Sequence, residues 1–126
     1  MYRFFHSLII ILFVLKISAQ NRVVNIEGGT YTPLYSLDTQ RIKVANFQIN
    51  VYSVSNREYL EFVKKYPEWQ RTKAKKLFVD IGYLKHWKTD TSFDDVIADQ
   101  PVVNVSWFAA KKYCECQGMR LPTNAE

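Results

Sequence analysis

Apolar residues recur at helical spacing in the middle of the chain, at Tyr59, Phe62, Val63 and Tyr66. Just before them, Ser55 is a good helix N-cap and Glu58 stands three residues later, which is the pattern of a capping box. This pattern predicts an amphipathic helix that begins after Ser55, continues to about Lys65 and ends at Pro67.

A second helix is predicted over residues 107–117, with Ser106 as its N-cap and Gly118 as the residue that ends it. Its strongly polar residues form one stripe, made of Lys111, Lys112 and Glu115. The remaining positions are mostly apolar: Trp107, Phe108, Ala109, Ala110, Tyr113, Cys114 and Cys116. A helix with so narrow a polar stripe needs packing partners on most of its sides.

Three other stretches have the pattern of strands. Residues 26–31 indicate a strand end followed by a glycine turn. Residues 42–51 alternate loosely between apolar and polar side chains, which predicts a strand with a bulge near Ala45 and Asn46. Residues 101–105 form a short apolar run that predicts a buried strand.

The first 19 residues are typical of a secretory signal peptide. Arg3 supplies the positive charge, residues 4–15 are almost wholly apolar, and Ala19 is a small residue at the expected cleavage position. The apolar run is too short to span a bilayer comfortably, so a membrane anchor is disfavoured. Cleavage before Gln20 would leave 107 of the 126 residues and lower the formal net charge from +5 to +3. We therefore expect a protein that is secreted, periplasmic or on the cell surface, with no membrane span after cleavage.

Residues 64–88 are basic, with eight Lys or Arg residues among two acids. Trp69, Tyr83 and Trp87 lie within this segment, and basic residues mixed with aromatics occur in nucleic-acid-binding proteins. In an exported chain of modest charge, a solvated surface with the aromatics turned inward is favoured instead. No nucleic-acid partner is predicted.

Candidate catalytic and metal-binding residues are few, and none is assigned a catalytic, cofactor-binding or metal-binding role. His86, the only histidine after the signal peptide, is predicted to be a surface or half-packed residue. Cys114 and Cys116 form a C-x-C pair that could bind a soft metal only weakly. An acidic stretch lacks the spacing and glycine of a calcium loop and is interpreted as a polar loop: Asp90, Asp94, Asp95 and Asp99.

The two cysteines cannot bridge each other if they lie on a helix. Side chains at i and i+2 point to nearly opposite sides of a helix. Each cysteine is therefore free or pairs with a cysteine that this chain does not contain. Asn104-Val105-Ser106 fits a glycosylation sequon, but its position at the end of a predicted buried strand argues against modification.

The last residues, RLPTNAE, have the pattern of a helix start. Thr123 is a good N-cap, Glu126 lies three residues on, and Pro122 discourages helix before that point. No helix body follows within the sequence. We therefore expect the chain to be cut inside a longer domain.

Residues 101–126, PVVNVSWFAAKKYCECQGMRLPTNAE, resemble the core signature of the formylglycine-generating enzyme, or sulfatase-modifying factor, family. Its members typically read P-V-x-x-V-S-W-x-x-A, followed by Y-C-x-W-x-G-x-R-L-P-T-E-A-E-W-E. The opening Gly28-Gly29-Thr30-Tyr31 and the segment FQINVYSVSNREYLEFV at 47–63 resemble two further family motifs, in the same order. The resemblance therefore covers nearly the whole chain after the signal peptide.

The resemblance implies an α+β fold related to C-type lectins, of which residues 20–126 would be the N-terminal part. It implies that the whole protein is an oxidase converting a sulfatase cysteine to formylglycine. The family's catalytic cysteines, which bind copper, and most of its calcium ligands lie in the C-terminal half, so copper and calcium sites are not expected in this chain. Cys114 matches a structural cysteine of the family, disulfide-bonded to a distant partner in animal enzymes.

Three departures from the family pattern suggest a divergent member. Cys116 stands where tryptophan is usual, and Asn124 and Ser53 each replace a glutamate. The two lost acids put calcium or polar-network roles at those positions in doubt. Two alternatives remain: a non-catalytic binding or structural module at the cell surface, as in gliding-motility proteins, or a non-haem iron enzyme of the related family. The partner would be a sulfatase or a cell-surface protein.

We also expect residues 20–126 to be unstable alone. Trp107, Phe108 and Tyr113 would each lose burial worth about 2 kcal/mol if the fold needs further chain to cover them.

Overall fold

The computed structural model describes residues 23–34 and 41–126. The predicted signal peptide lies outside the described residues. Among the residues that are described, no helix is long and apolar enough to cross a membrane.

Short strands form two antiparallel pairs at the N-terminal end. β1 (Val23–Ile26) pairs with β4 (Phe47–Asn50), and β2 (Gly29–Tyr31) pairs with β3 (Ile42–Val44). The prediction of one continuous strand over residues 42–51 is therefore wrong, because this stretch forms two separate strands, β3 and β4. At Ala45 and Asn46 the chain leaves one pair and enters the other, where a bulge within one strand was expected.

Gly28 explains why the strand breaks at this place. A Cβ atom on Gly28 would lie 2.3 Å from the carbonyl oxygen of Val44, so only glycine lets the two backbones approach this closely. The Gly28 N–H donates to the side-chain Oδ1 of Asn46 at 2.8 Å. The Gly28 N–H is therefore bonded to a side chain, whereas in a continuous strand pair it would bond to a backbone carbonyl.

Both predicted helices are confirmed. α1 spans Asn56–Lys65, and its capping box is complete: Glu58 N–H donates to Ser55 Oγ at 3.2 Å, and Ser55 N–H donates to Glu58 Oε2 at 2.7 Å. α2 spans Trp107–Cys116 after the cap Ser106. Gly118 takes a φ of 70°, the left-handed conformation that commonly ends a helix.

The predicted strand at 101–105 is wrong. Pro101 makes an isolated bridge to Ser55, and Val102 N–H donates to Val54 C=O at 2.9 Å, but the extended pairing ends there. Asn104 has a φ of 54° and its carbonyl accepts from Leu84 N–H at 2.9 Å. This left-handed residue turns the chain toward the α2 cap, so the apolar run becomes a loop.

The core is aromatic and lies between α1, α2 and the loop around residues 83–87. The strands contribute none of its fully buried side chains, which are Tyr59, Phe62, Val63, Tyr83, Leu84, Trp87, Ala109 and Tyr113. The rings of Tyr59 and Tyr113 stack with centroids 5.7 Å apart. The prediction that the aromatics of the basic segment turn inward is confirmed at Tyr83 and Trp87, each 2% exposed.

Three side chains of α2 were expected to lack burial in this chain, and one of them is buried. Tyr113 is 4% exposed, so the expected loss of its burial is wrong: its ring also meets Phe62, with centroids 5.6 Å apart. Trp107 and Phe108 are 59% and 47% exposed, as the excess of apolar positions on this helix predicted.

The buried carboxamide of Asn56, at the start of α1, joins three segments. Its Nδ2 donates to the carbonyls of Ile97 at 2.9 Å and Gln100 at 3.1 Å. Its Oδ1 accepts from the Trp87 indole Nε1–H at 2.8 Å and lies 3.1 Å from His86 Nε2. Since an amide side chain offers two donors and one acceptor oxygen, this one residue is almost fully used.

The same contact fixes the state of His86, which is half-buried as predicted. Because Asn56 Oδ1 is an acceptor, His86 Nε2 must carry the proton that it shares with that oxygen. His86 Nδ1 is buried and has no hydrogen-bond partner among the described residues, so a proton there would be unpaired. Desolvation lowers the pKa of His86 and keeps the ring neutral.

Replacing Asn56 with alanine should lower the free energy of unfolding by about 3–5 kcal/mol, because the Trp87 indole and two backbone carbonyls lose their partner while still buried. Urea unfolding of the purified protein measures the change. Arg57→Ala is the matched control at the next residue. It removes an ion pair with Asp99 whose side chains are 63% and 82% exposed, so its effect should be much smaller. Equal effects of the two substitutions would contradict the role given to Asn56.

Acidification should destabilise the fold through His86. The pKa of His86 is lowered in the folded protein, so between that value and about 6.5 the unfolded chain binds more protons. The free energy of unfolding should therefore fall as the pH drops from about 7.5 to about 5, above the range where carboxylates titrate. His86→Gln, which does not titrate, should flatten this dependence. An unchanged slope in that variant would sink the assignment.

Candidate functional site

A groove of about 940 Å³ lies between β4 and the segment after α2. Residues 46–54 form one wall without a gap, and residues 118–122 with Glu126 form the other. Tyr113 and Cys114 of α2 also line it. Because β4 pairs only with β1 among the described residues, its second edge has backbone N–H and C=O groups left for a ligand.

Arg120 and Glu126 brace the second wall. The guanidinium Nη1 and Nη2 donate to the two carboxylate oxygens at 2.6 and 2.5 Å, in a bidentate pair. The predicted capping pair is also confirmed: Thr123 N–H donates to Glu126 Oε2 at 3.0 Å, and Glu126 N–H donates to Thr123 Oγ1 at 3.3 Å.

These contacts decide what Glu126 can do in the groove. The bond from Arg120, and then that from the Thr123 N–H, lower the pKa of Glu126 to about 2. Its carboxylate is ionised and its oxygens are already occupied by donors. It is therefore suited to hold the wall in shape and unsuited to act as a general base near neutral pH.

Asn50, at the end of β4, is a groove residue that was not predicted from the sequence. Its Oδ1 is buried and has no hydrogen-bond partner among the described residues, although the residue borders the groove. A buried oxygen without a hydrogen-bond partner carries a desolvation cost. No local sequence signal marks it, because its role depends on how β4 packs.

The two cysteines lie on α2, as predicted, and neither forms a disulfide in the structure. Burial raises the pKa of Cys114, which keeps its thiol protonated and weakly nucleophilic. Side chains two residues apart on a helix point to nearly opposite sides, so the two sulfurs cannot converge on one copper ion. The cysteines of this chain therefore do not fit the family's copper site.

The acidic stretch does not assemble a calcium site in the structure. Asp90 accepts from Thr72 N–H at 2.9 Å and from the Thr72 hydroxyl, Asp94 Oδ1 accepts from Val96 N–H at 3.2 Å, and Asp99 pairs with Arg57. Within residues 23–34 and 41–126, no three His, Cys, Asp or Glu side chains gather as metal ligands. Each of these carboxylates serves a local turn or an ion pair.

The three residues that depart from the family pattern lie in different environments. Ser53 is exposed and lines the groove, where a glutamate would have added a negative charge. Asn124 is exposed, and Cys116 is half-buried against the aromatic core. Asn104 of the glycosylation sequon is exposed on its left-handed turn, so the burial that argued against modification is wrong.

A family model described as a sulfatase-modifying factor enzyme 1-like domain matches residues 15–126. The match begins inside the predicted signal peptide, so the boundary after residue 19 stays a prediction. The observed mixture of short antiparallel sheets and helices is compatible with part of such a domain. The relation to C-type lectins also stays a prediction.

The relatives of this chain have different functions by name. The bovine formylglycine-generating enzyme is 28% identical over 147 residues, covering 86% of this chain and 39% of its own. Hercynine oxygenase of Mycobacterium tuberculosis is 32% identical over 108 residues, covering 72% and 25%. The serine/threonine-protein kinase pkn1 of Chlamydia pneumoniae is 27% identical over 125 residues, covering 82% and 18%.

The chain thus spans between about a fifth and two fifths of the length of these relatives. The family model, in contrast, covers almost all of this chain. The matched region contains both capped helices, the groove and the Arg120–Glu126 pair. The resemblance seen in the motifs is confirmed: this chain belongs to the sulfatase-modifying factor, or formylglycine-generating enzyme, family.

Proposed function

We propose that the protein containing this chain is an exported oxidase that converts a cysteine of a sulfatase to formylglycine, and that this chain supplies the N-terminal part of its domain. The observation that carries the proposal is the alignment with the bovine formylglycine-generating enzyme. It covers 86% of this chain, compared with 72% for the oxygenase and 82% for the kinase.

The groove supports a peptide substrate in this proposal. Residues 46–54 line it consecutively, and β4 has an edge that is unpaired among the described residues. An extended peptide can add to such an edge by main-chain hydrogen bonds while its side chains enter the groove.

This chain would bind and orient the substrate but would not carry out the oxidation. Cys114 is held as a thiol by burial, Glu126 is committed to Arg120, and His86 is committed to Asn56. In this proposal copper would supply the oxygen chemistry when bound, and the thiols that hold it would lie outside the described residues.

A binding or structural module at the cell surface is the second candidate function. The specific observation in its favour is Ser53, which leaves the groove wall without the acidic side chain usual in the family. The same groove would then hold an extended peptide without changing it. An iron enzyme is the third candidate, supported by the 32% identity to hercynine oxygenase over 72% of this chain.

The test is to incubate the whole protein, with copper and oxygen, with a peptide that copies the cysteine segment of a sulfatase. Mass spectrometry should show formylglycine in place of cysteine, and a peptide with serine at that position should stay unchanged. Peptide that binds, by fluorescence anisotropy, but is never converted would favour the binding module. Absence of both binding and conversion would overturn the proposal.

The groove's role is tested separately with Ser53→Trp, which fills part of it from an exposed position. The apparent KM for the peptide should rise by roughly tenfold with a smaller change in kcat, because the loss is mainly in substrate binding. Thr91→Trp, exposed and away from the groove, is the matched control and should leave KM unchanged. Equal effects would show that the groove does not hold the peptide.

A further inference from the structure

The chain contains three pairs of adjacent lysines, and the structure places them in different settings. Lys64-Lys65 ends α1, and Lys111-Lys112 lies in the middle of α2. Lys75-Lys76 lies between the helices, in a stretch of turns over residues 71–82 that contains neither helix nor strand. Because the three dipeptides are identical, any difference in what can reach them comes from the fold.

The two helical pairs are engaged with carboxylates of their own helices. Lys64 Nζ lies 2.9 Å from Glu61, and Glu115 lies 3.9 Å from each lysine of the α2 pair. Within residues 23–34 and 41–126, no carboxylate lies within 4.0 Å of either ammonium of the pair at 75–76. Both of these lysines are exposed, so this pair presents two uncompensated charges to solvent.

The residue that follows each pair also differs in exposure. Tyr113, after the α2 pair, is 4% exposed, and Tyr66, after the α1 pair, is half-buried against the core. Leu77, after the third pair, is 81% exposed. Of the three pairs, only the one at 75–76 therefore has exposed residues on both sides of the peptide bond that follows it.

The backbone around this pair can open without disturbing the core. Phe78 N–H and Val79 N–H both donate to the Lys75 carbonyl, at 2.8 and 3.3 Å. Among the described residues, the backbone hydrogen bonds of residues 73–82 reach no further than four positions along the chain, and none of these residues is fully buried. Opening either helix would instead pull fully buried core side chains into water. A segment held by local bonds opens at a lower free energy than one that carries core side chains.

We propose that the peptide bond between Lys76 and Leu77 is a processing site, cut in the folded protein by an endoprotease that recognises paired basic residues. Exposed loop tips are preferred sites of such nicking. A carboxylate in the protease pocket would hold each lysine, as an aspartate does in trypsin. Hydrolysis breaks the C–N bond: the water oxygen joins the Lys76 carbonyl carbon, and a water proton goes to the Leu77 nitrogen. This inference is independent of the proposed oxidase activity.

The cut would leave two fragments that stay associated. Asn56, before the cut, binds two backbone carbonyls after it, and Tyr59 stacks on Tyr113 across the same division. The two walls of the groove, residues 46–54 and 118–122, also come from opposite sides of the cut. Both cysteines of the chain lie after the cut, so no disulfide within the chain joins the fragments. Core and groove contacts would hold them together without a covalent link.

The test is digestion of the whole protein with a limiting amount of kexin, a protease that cuts after paired basic residues, followed by mass spectrometry. The first products should end at Lys76 and begin at Leu77. Lys75→Gln/Lys76→Gln should slow the first cut by roughly tenfold or more, because the acidic pockets of the protease lose their charged partners. Lys75→Arg/Lys76→Arg, which keeps both charges, should still be cut. All these side chains are exposed, so circular dichroism should show an unchanged fold.

The other two lysine pairs supply the matched controls. Lys64→Gln/Lys65→Gln and Lys111→Gln/Lys112→Gln should both be cut after Lys76 at the rate of the parent protein. Equal cutting at all three pairs would mean that the protease acts on the unfolded chain. Resistance of the bond at 76–77 in the whole protein would mean that another part of the protein covers it. Either result would overturn the proposal.

A second measurement separates processing from mere susceptibility to a protease. In protein isolated from the cells that make it, labelling of free α-amines should detect a chain that begins at Leu77. Gel filtration of the cut protein should elute both fragments together, and urea should separate them. Absence of this new N-terminus in the isolated protein, or fragments that separate in buffer alone, would contradict the proposal.

Discussion

The carboxamide of Asn56 is the contact on which the described fold depends most. It ties the first turn of α1 to the carbonyls of Ile97 and Gln100 and to the indole of Trp87, segments more than 30 residues away along the chain. The bond to the Trp87 indole is buried and the two bonds to the carbonyls are partly buried, so their loss would leave polar groups poorly solvated. By fixing where α1 starts, Asn56 also fixes the end of the groove wall at residues 46–54.

The described molecule has two parts, the aromatic core and the two strand pairs, and different interactions stabilise each part. The core holds large rings in contact between α1 and α2, and the hydroxyl groups of Tyr59 and Tyr83 form hydrogen bonds within it. The strand pairs lie outside it, and β1 is exposed along its whole length. The groove lies where these parts meet, so its shape depends on the core through α2 and on local backbone contacts through Gly28 and Asn46.

Local signals predicted the helices and their caps, because a capping box is complete within four residues. The Thr123–Glu126 contact was predicted for the same reason. The break between β3 and β4 could not be predicted, since it depends on Gly28 meeting a backbone 16 residues later. The strand predicted at residues 101–105 was wrong because an apolar composition does not reveal the left-handed turn at Asn104. Asn50 and the Arg120–Glu126 pair lacked any spacing rule that would mark them.

Tyr59 and Tyr83, two of the buried core residues, are joined by a hydrogen bond between their hydroxyl groups, and the donor of that bond can be assigned. The Tyr83 hydroxyl donates to the carbonyl of Trp69 at 2.9 Å, so the proton between the Tyr59 and Tyr83 oxygens, also 2.9 Å apart, must come from Tyr59. Loss of the hydroxyl at position 59 would leave Tyr83 still bonded to Trp69. Loss at position 83 would leave both other groups without a partner. During evolutionary drift, phenylalanine could therefore enter at position 59 more readily than at position 83, although the two tyrosines look equivalent in the sequence.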